Sequence, residues 1–130
     1  MEQSGERYLL RLPASGGTER IAVPQSWVSG GLLAALLHTD VTERMRLPVM
    51  PEAFAGRFVL CYFIDARGGE RALPVNFAGT CFYHNGCPIH GDLLLAACGG
   101  DSESTAVSGF TEADCAVLTA WLSAEFPVIL

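Results

Sequence analysis

The residues best suited to chemistry lie in one short segment, residues 81–90. It reads Cys81-Phe-Tyr-His84-Asn-Gly-Cys87-Pro-Ile-His90, so that two cysteines and two histidines recur at every third position. Thiolate sulfur and imidazole nitrogen are the ligands that tetrahedral zinc takes in proteins. Structural zinc sites, however, usually draw their ligands from two separated pairs that close a loop, and four ligands so close together would strain the chain. We therefore predict no bound metal, with a zinc-binding domain as an alternative.

The same segment offers a thiol nucleophile, Cys87, with His84 or His90 as its base and Asp92 as the residue that orients the base. Nucleophile and base are normally brought together by the fold, so closeness in sequence indicates little. The chain also lacks the signatures of phosphate-binding loops, dinucleotide-binding loops and serine hydrolases. We predict no catalytic residue and no cofactor, which favours a protein without enzymatic activity.

Five polar residues are candidates for anchoring a ligand in a pocket. They are Glu43, Asn76, His84, His90 and Asp92. Carboxylate, amide and imidazole groups of this kind fix the orientation of small ligands in pockets that are otherwise apolar. Structural interpretations stand beside this one, because Asn76 can bond to its own backbone in a turn and Asp92 follows a glycine at a strand entry or bulge.

The charges of the chain argue against several classes of partner. The formal net charge is −6, all eight cations are arginines, and no cation follows Arg71. Affinity for nucleic acid rests largely on lysines and arginines that neutralise phosphates, so we predict no nucleic-acid partner. The longest apolar runs are far shorter than the ~20 residues that a membrane-spanning helix needs, so we expect no membrane partner either.

The elements that must position these residues are short strands and two helices. Half of the 130 residues are hydrophobic, which is typical of a folded domain rather than a disordered chain. The apolar or imperfectly alternating runs that predict strands lie at residues 8–12, 21–23, 41–47, 58–64 and 89–98. The run at 58–64 is apolar on both faces, which predicts a central strand. Residues 50–55 are expected to form a loop or a single helical turn, and residues 101–108 a loop.

A turn is predicted at residues 65–69, where Gly68 and Gly69 are free to take positive φ angles. The chain then returns through residues 71–76, which predicts a hairpin. The first helix is expected to have Ser26 as its N-cap and to run to about His38. His38 would then be a cation beside the negative end of the helix dipole.

The second helix has the clearest start signal. Thr111-Glu-Ala-Asp114 resembles a capping box, and Phe110 and Cys115 are placed as a hydrophobic staple on either side of the cap. Cys115, Leu118 and Leu122, with Trp121 beside them, form the predicted core-facing stripe.

Strands and helices in this mixture indicate an α+β fold, a single compact domain over residues 1–130 with a mainly antiparallel sheet and two packed helices. The five cysteines are an odd number, and the first residues lack the features of a secretory signal. We therefore expect reduced thiols in a cytoplasmic protein, with Cys61, Cys98 and Cys115 in the core.

Several short motifs occur together in one order. They are Glu43-Arg-Met-Arg-Leu47, Asp65-Ala-Arg-Gly68, Leu73-Pro-Val-Asn76, Pro88-Ile-His-Gly-Asp92 and Phe110-Thr-Glu-Ala-Asp114. This order resembles a family of small uncharacterised proteins, a domain of unknown function carried by phages, prophages and gut Firmicutes. The resemblance implies a bacterial or mobile-element origin and supplies no catalytic residues.

Two classes of function remain. The first is a non-catalytic protein-interaction or regulatory module, which would use its apolar C-terminal residues 126–130 and its two tryptophans, Trp27 and Trp121, for self-association or for a protein partner. The second is a small-molecule-binding domain with a pocket near residues 81–92. Because positive signs of chemistry are missing, we predict the first.

Overall fold

Six strands of the chain pair into one sheet. The computed structural model describes residues 6–24, 28–47, 49–76, 88–98 and 106–125. The strands are β1 (Arg7–Leu12), β2 (Glu19–Val23), β3 (Thr42–Arg46), β4 (Val59–Asp65), β5 (Leu93–Cys98) and β6 (Val107–Ser108). The helices are α1 (Gly30–Leu36) and α2 (Glu112–Glu125), with a 3-10 turn at Glu52–Phe54.

The sheet has the order β2-β1-β5-β4-β3, and every pairing in it is antiparallel. The short strand β6 pairs with the end of β5, at Ala97 and Cys98, while β1 pairs with its beginning. β4 and β5 therefore lie inside the sheet, as the continuous apolar run at 58–64 predicted for β4. Every residue of β5 is buried.

The two helices cover opposite faces of this sheet, because successive residues of a strand point to opposite sides. On one face, Leu33 of α1 belongs to a buried cluster with Leu9 and Phe63. On the other face, Leu118 and Leu122 of α2 belong to a second cluster that contains the 3-10 turn and alternate residues of β1, β4 and β5. The predicted α+β domain with an antiparallel sheet and two helices is confirmed.

The start of α2 follows its sequence signal. The Asp114 backbone N–H donates to Thr111 Oγ1 at 3.1 Å, and Phe110 and Cys115 lie in the same buried cluster. The Asp114 carboxylate accepts two bonds from the Arg57 guanidinium, at 3.2 and 2.8 Å. Its role is thus to fasten the first turn of α2 to the segment before β4.

The start of α1 differs from the prediction. The helix begins at Gly30, and its N-cap is Ser29, whose Oγ accepts from the Leu32 N–H at 3.1 Å. The Val28 N–H donates to the Val107 carbonyl at 2.8 Å, which holds the preceding residue extended beside β6. The helix therefore starts three residues later than a cap at Ser26 would require, and Ser26 itself lies outside the described residues.

The predicted hairpin after β4 is wrong. β4 already has β3 on one side and β5 on the other, so no edge of it is open to residues 71–76. Val75 instead forms a single bridge with His90, and the Asn76 N–H donates to the Ile89 carbonyl at 2.7 Å. The strand predicted at residues 89–98 begins at Leu93 rather than at residue 89, and Gly91 before it has φ 91°. The loop expected at 101–108 ends in β6, and its residues 101–105 lie outside the described residues.

In the part of the chain that the structure describes, no helix has the length and apolar character needed to cross a bilayer.

Candidate functional site

The site is organised by the turn that follows β4. Its backbone makes one helical turn, in which the Arg71 N–H donates to the Arg67 carbonyl at 3.0 Å. The Ala72 N–H then bonds to the Gly69 carbonyl and the Leu73 N–H to the Gly68 carbonyl, with Ala72 at φ 58°. This is the pattern of a Schellman motif, which ends a helix with one left-handed residue.

The two glycines of this turn have another role than the predicted one. Neither Gly68 nor Gly69 has a left-handed backbone. A Cβ added to Gly68 would lie 2.6 Å from the His90 carbonyl oxygen, far inside normal contact. Gly68 is therefore needed because the backbone of His90 passes directly against it.

Beside the glycines lies an open cleft of about 340 Å³, which we call the acceptor cleft. It is lined by, among others, Glu43, Ile64, Asp65, Gly69, Ile89 and His90. Glu43 comes from β3 and is exposed, whereas Ile64 and Ile89 are buried members of the core. The cleft thus has an apolar floor with polar groups at its rim.

The imidazole of His90 is oriented by the backbone. Its Nδ1 lies 2.8 Å from the Leu73 carbonyl oxygen. Because a carbonyl can only accept, Nδ1 carries the proton, and the neutral ring then has Nε2 as a hydrogen-bond acceptor. The Cδ2–Nε2 edge lies next to Gly69, where an added Cβ would be 3.6 Å from Cδ2 and 3.9 Å from Nε2.

Asp65 is the buried carboxylate of the site, and its oxygens are engaged. Oδ1 accepts from the Thr39 hydroxyl at 3.1 Å and from the Arg67 backbone N–H at 2.8 Å. Oδ2 accepts from the Arg71 guanidinium. Asp65 therefore ties the turn to the residues that follow α1. The sequence indicates a turn at Asp65 but not this role, because Thr39 is distant in sequence.

The structure brings two of the five candidate ligand-binding residues together, since Glu43 and His90 line the acceptor cleft. Asn76 is buried, and its Nδ2 donates to the Leu12 and Gly91 carbonyls at 2.8 and 2.9 Å. Asp92 accepts from the Ala14 N–H at 3.0 Å. These bonds give Asn76 and Asp92 structural roles that join the end of β1 to the entry of β5.

The fifth candidate, His84, lies outside the described residues, as do Cys81 and Cys87, so the zinc and thiol hypotheses for that segment stay predictions. Within the described ranges, no group of three His, Cys, Asp or Glu side chains is arranged to hold a metal ion.

The three cysteines predicted for the core, Cys61, Cys98 and Cys115, are buried, which confirms their predicted place in the core. A hydrogen bond from Cys98, helped by the charges of Arg44 and Arg46, lowers the pKa of Cys61 to about 7. The same bond, together with burial, raises the pKa of Cys98, and burial raises the pKa of Cys115. These thiols belong to the packing of the sheet and lie apart from the acceptor cleft.

Trp121 is partly buried against the core on α2, whereas Trp27 and the apolar residues 126–130 lie outside the described residues. No protein-family model, curated protein or solved structure matches this chain, so the resemblance to a phage-borne family stays a prediction.

Proposed function

We propose that the protein is a non-catalytic binding module whose acceptor cleft takes a small organic molecule bearing a cationic or hydrogen-bond-donating group. The observation that supports this most is the meeting of Glu43 and His90, which come from distant parts of the chain, at one cleft. Both were candidate ligand-binding residues from the sequence.

The chemistry of the rim favours a donor rather than an anion. The Glu43 carboxylate accepts only, and His90 Nε2 is an acceptor while its Nδ1 proton is held by Leu73. Ile64 and Ile89 supply an apolar surface for the body of the ligand. The volume of about 340 Å³ falls in the range of roughly 300–1,000 Å³ that is usual for small-molecule sites.

A titration with a matched pair of probes tests this. Benzylammonium has a cationic group on an apolar ring, and benzoate has the same ring with the opposite charge. We expect benzylammonium to cause saturable NMR shifts at the acceptor cleft and Glu43→Gln to weaken its binding about tenfold, a loss typical of one good charged contact.

The control is Glu52→Gln, which removes an equal charge from an exposed residue of the 3-10 turn. It should leave the affinity for benzylammonium unchanged. Equal binding of benzoate, or equal weakening by Glu52→Gln, would contradict the proposed site.

A second candidate function is the protein-interaction module, formed by self-association in a bacterial or mobile-element setting. It is favoured by the surroundings of β3, the last strand in the sheet order. Val41 precedes this strand in sequence and Val49 follows it, and the two residues are 42% and 53% exposed. A strand at the end of a sheet presents backbone N–H and C=O groups that can pair with a second chain. Native mass spectrometry should then give a dimer that Val41→Asp dissociates, whereas a monomer at every concentration would contradict self-association.

A further inference from the structure

We propose that a second cleft, between the end of α1 and the turn after β4, binds a small oxyanion of the phosphate type. We call it the cationic cleft after its two arginines; it has a volume of about 370 Å³, and the ionisable residues of its lining are His38, Asp40, Arg67 and Arg71. Ala34 and Ala35 of α1 complete the wall and leave the charged groups accessible. The site shares the turn after β4 and the buried Asp65 with the acceptor cleft, but it does not depend on the function proposed there.

The two arginines reach this cleft because of their spacing. Arg67 and Arg71 are four residues apart in a single helical turn, joined by the bond from the Arg71 N–H to the Arg67 carbonyl. Residues four apart on a helical turn project from the same side. Two guanidinium groups, each with five N–H donors in a planar fork, are therefore directed to one place.

His38 is held at the opposite wall by the end of α1. The His38 N–H bonds to the Ala35 carbonyl at 3.2 Å and the Thr39 N–H to the Ala34 carbonyl at 3.0 Å, which is again a Schellman pattern. His38 takes the left-handed position with φ 57°, where glycine is the usual residue. Histidine is among the residues that tolerate this conformation, and here it adds an imidazole to the cleft.

The cleft is organised before any ligand arrives. The buried Asp65 carboxylate accepts from Thr39 beside His38, from the Arg67 backbone and from the Arg71 guanidinium. One acidic group thus fixes both walls relative to each other. Arg71 donates to Asp65 through Nη1, so its guanidinium keeps further N–H donors for the oxygens of a ligand.

Asp40 indicates which ligand chemistry the cleft accepts. Its carboxylate lies 2.8 Å from Arg67 Nη2, although the Asp40 side chain is 80% exposed. Exposed ion pairs of this kind contribute little to stability, so the carboxylate is easily displaced. A phosphate group offers more oxygens than a carboxylate and matches the guanidinium fork equally well. We infer that the ligand takes the place of Asp40 on Arg67 and is held from the other side by Arg71 and His38.

The test is a titration with inorganic phosphate at constant ionic strength, set with chloride and followed by backbone NMR shifts. We expect saturable shifts at the end of α1 and in the turn after β4. Arg67→Gln should weaken phosphate binding by about tenfold, and Asp40→Asn should strengthen it by about threefold because the competing carboxylate is removed.

The matched control is Arg20→Gln, which removes an arginine of β2 whose side chain is 40% exposed, against 48% for Arg67. It should not change phosphate affinity. His38→Asn is a second test that does not depend on either arginine, since asparagine tolerates the left-handed conformation, and it should also weaken binding.

Shifts no larger with phosphate than with chloride would overturn the proposal, as would equal losses in Arg67→Gln and Arg20→Gln. Weaker binding by Asp40→Asn would show that Asp40 is not the group displaced. If acetate binds as tightly as phosphate, the assignment of a phosphate-type ligand is wrong and the cleft binds carboxylates.

Discussion

The two clefts on the turn after β4 share a backbone and differ in chemistry. The cationic cleft receives the side chains of Arg67 and Arg71, whereas the acceptor cleft receives Gly68 and Gly69 of the same turn. Because a helical turn directs residues four apart to one side, one short segment can present donors in one direction and bare backbone in another. The spacing of residues within one turn therefore decides which groups each cleft presents.

The clefts also differ in what stabilises them. The cationic cleft depends on side-chain bonds to the buried Asp65 carboxylate. The acceptor cleft depends on the close approach of the His90 backbone to Gly68. Substitutions at Asp65 and at Gly68 should therefore affect the two clefts unequally.

The largest effect is expected at Asp65. Asp65→Ala removes the acceptor of three hydrogen bonds, two of which come from Arg67 and Arg71 in the turn after β4. It should lower the free energy of unfolding by about 2–4 kcal/mol. Urea denaturation followed by circular dichroism measures this. Asp40→Ala removes a carboxylate that is 80% exposed and should cost no more than about 1 kcal/mol. Equal losses for the two variants would show that Asp65 does not organise the turn.

A smaller effect is expected at the glycines, where the chain offers a matched pair. Gly68→Ala places a Cβ 2.6 Å from the His90 carbonyl oxygen, so the backbone must shift, at a cost of roughly 1–3 kcal/mol. In Gly69→Ala the nearest atom would be the His90 Cδ2 at 3.6 Å, an ordinary contact, and stability should change little.

The glycine variants also distinguish the two clefts by their effects on ligand binding. Gly68→Ala should weaken benzylammonium binding more than phosphate binding, because His90 lines only the acceptor cleft. If urea denaturation finds both alanine variants equally stable, the close approach of His90 to Gly68 is not a constraint on the fold.

Much of the fold could be predicted because its signals are local. The apolar run at 58–64 predicted an inner strand, since only a strand buried on both faces has no polar alternation. The cap at Thr111 and the staple of Phe110 and Cys115 predicted the start of α2, since a cap depends on neighbouring residues alone.

The errors occur where distant contacts decide the local structure. The start of α1 depends on Val28, which is held by Val107 from the far end of the chain. The hairpin prediction failed because β5 occupies the side of β4 that residues 71–76 would need. Both errors concern contacts between residues far apart in sequence, for which the chain has no local signal.

The candidate site was predicted in part. Glu43 and His90 have the residue types that anchor ligands, and both line a cleft. Asn76 and Asp92 are equally polar, but they bond to the backbone at the end of β1 and the entry of β5. Residue type gives the chemistry available, and only the fold decides whether a polar group meets solvent or a buried carbonyl.

The pairing of β1 with β5 has a consequence for how the chain folds. Leu10 pairs with Leu95, so the first strand of the sheet meets its central partner only after most of the chain has been synthesised. Until then, Leu9 and Leu10 belong to a two-stranded hairpin, which is marginally stable by itself. Contacts between such distant residues slow folding, because the entropy of closing a long loop is lost before the strands pair. The hairpin of β1 and β2 thus acquires its core contacts last, and it is the region most prone to misassembly during synthesis.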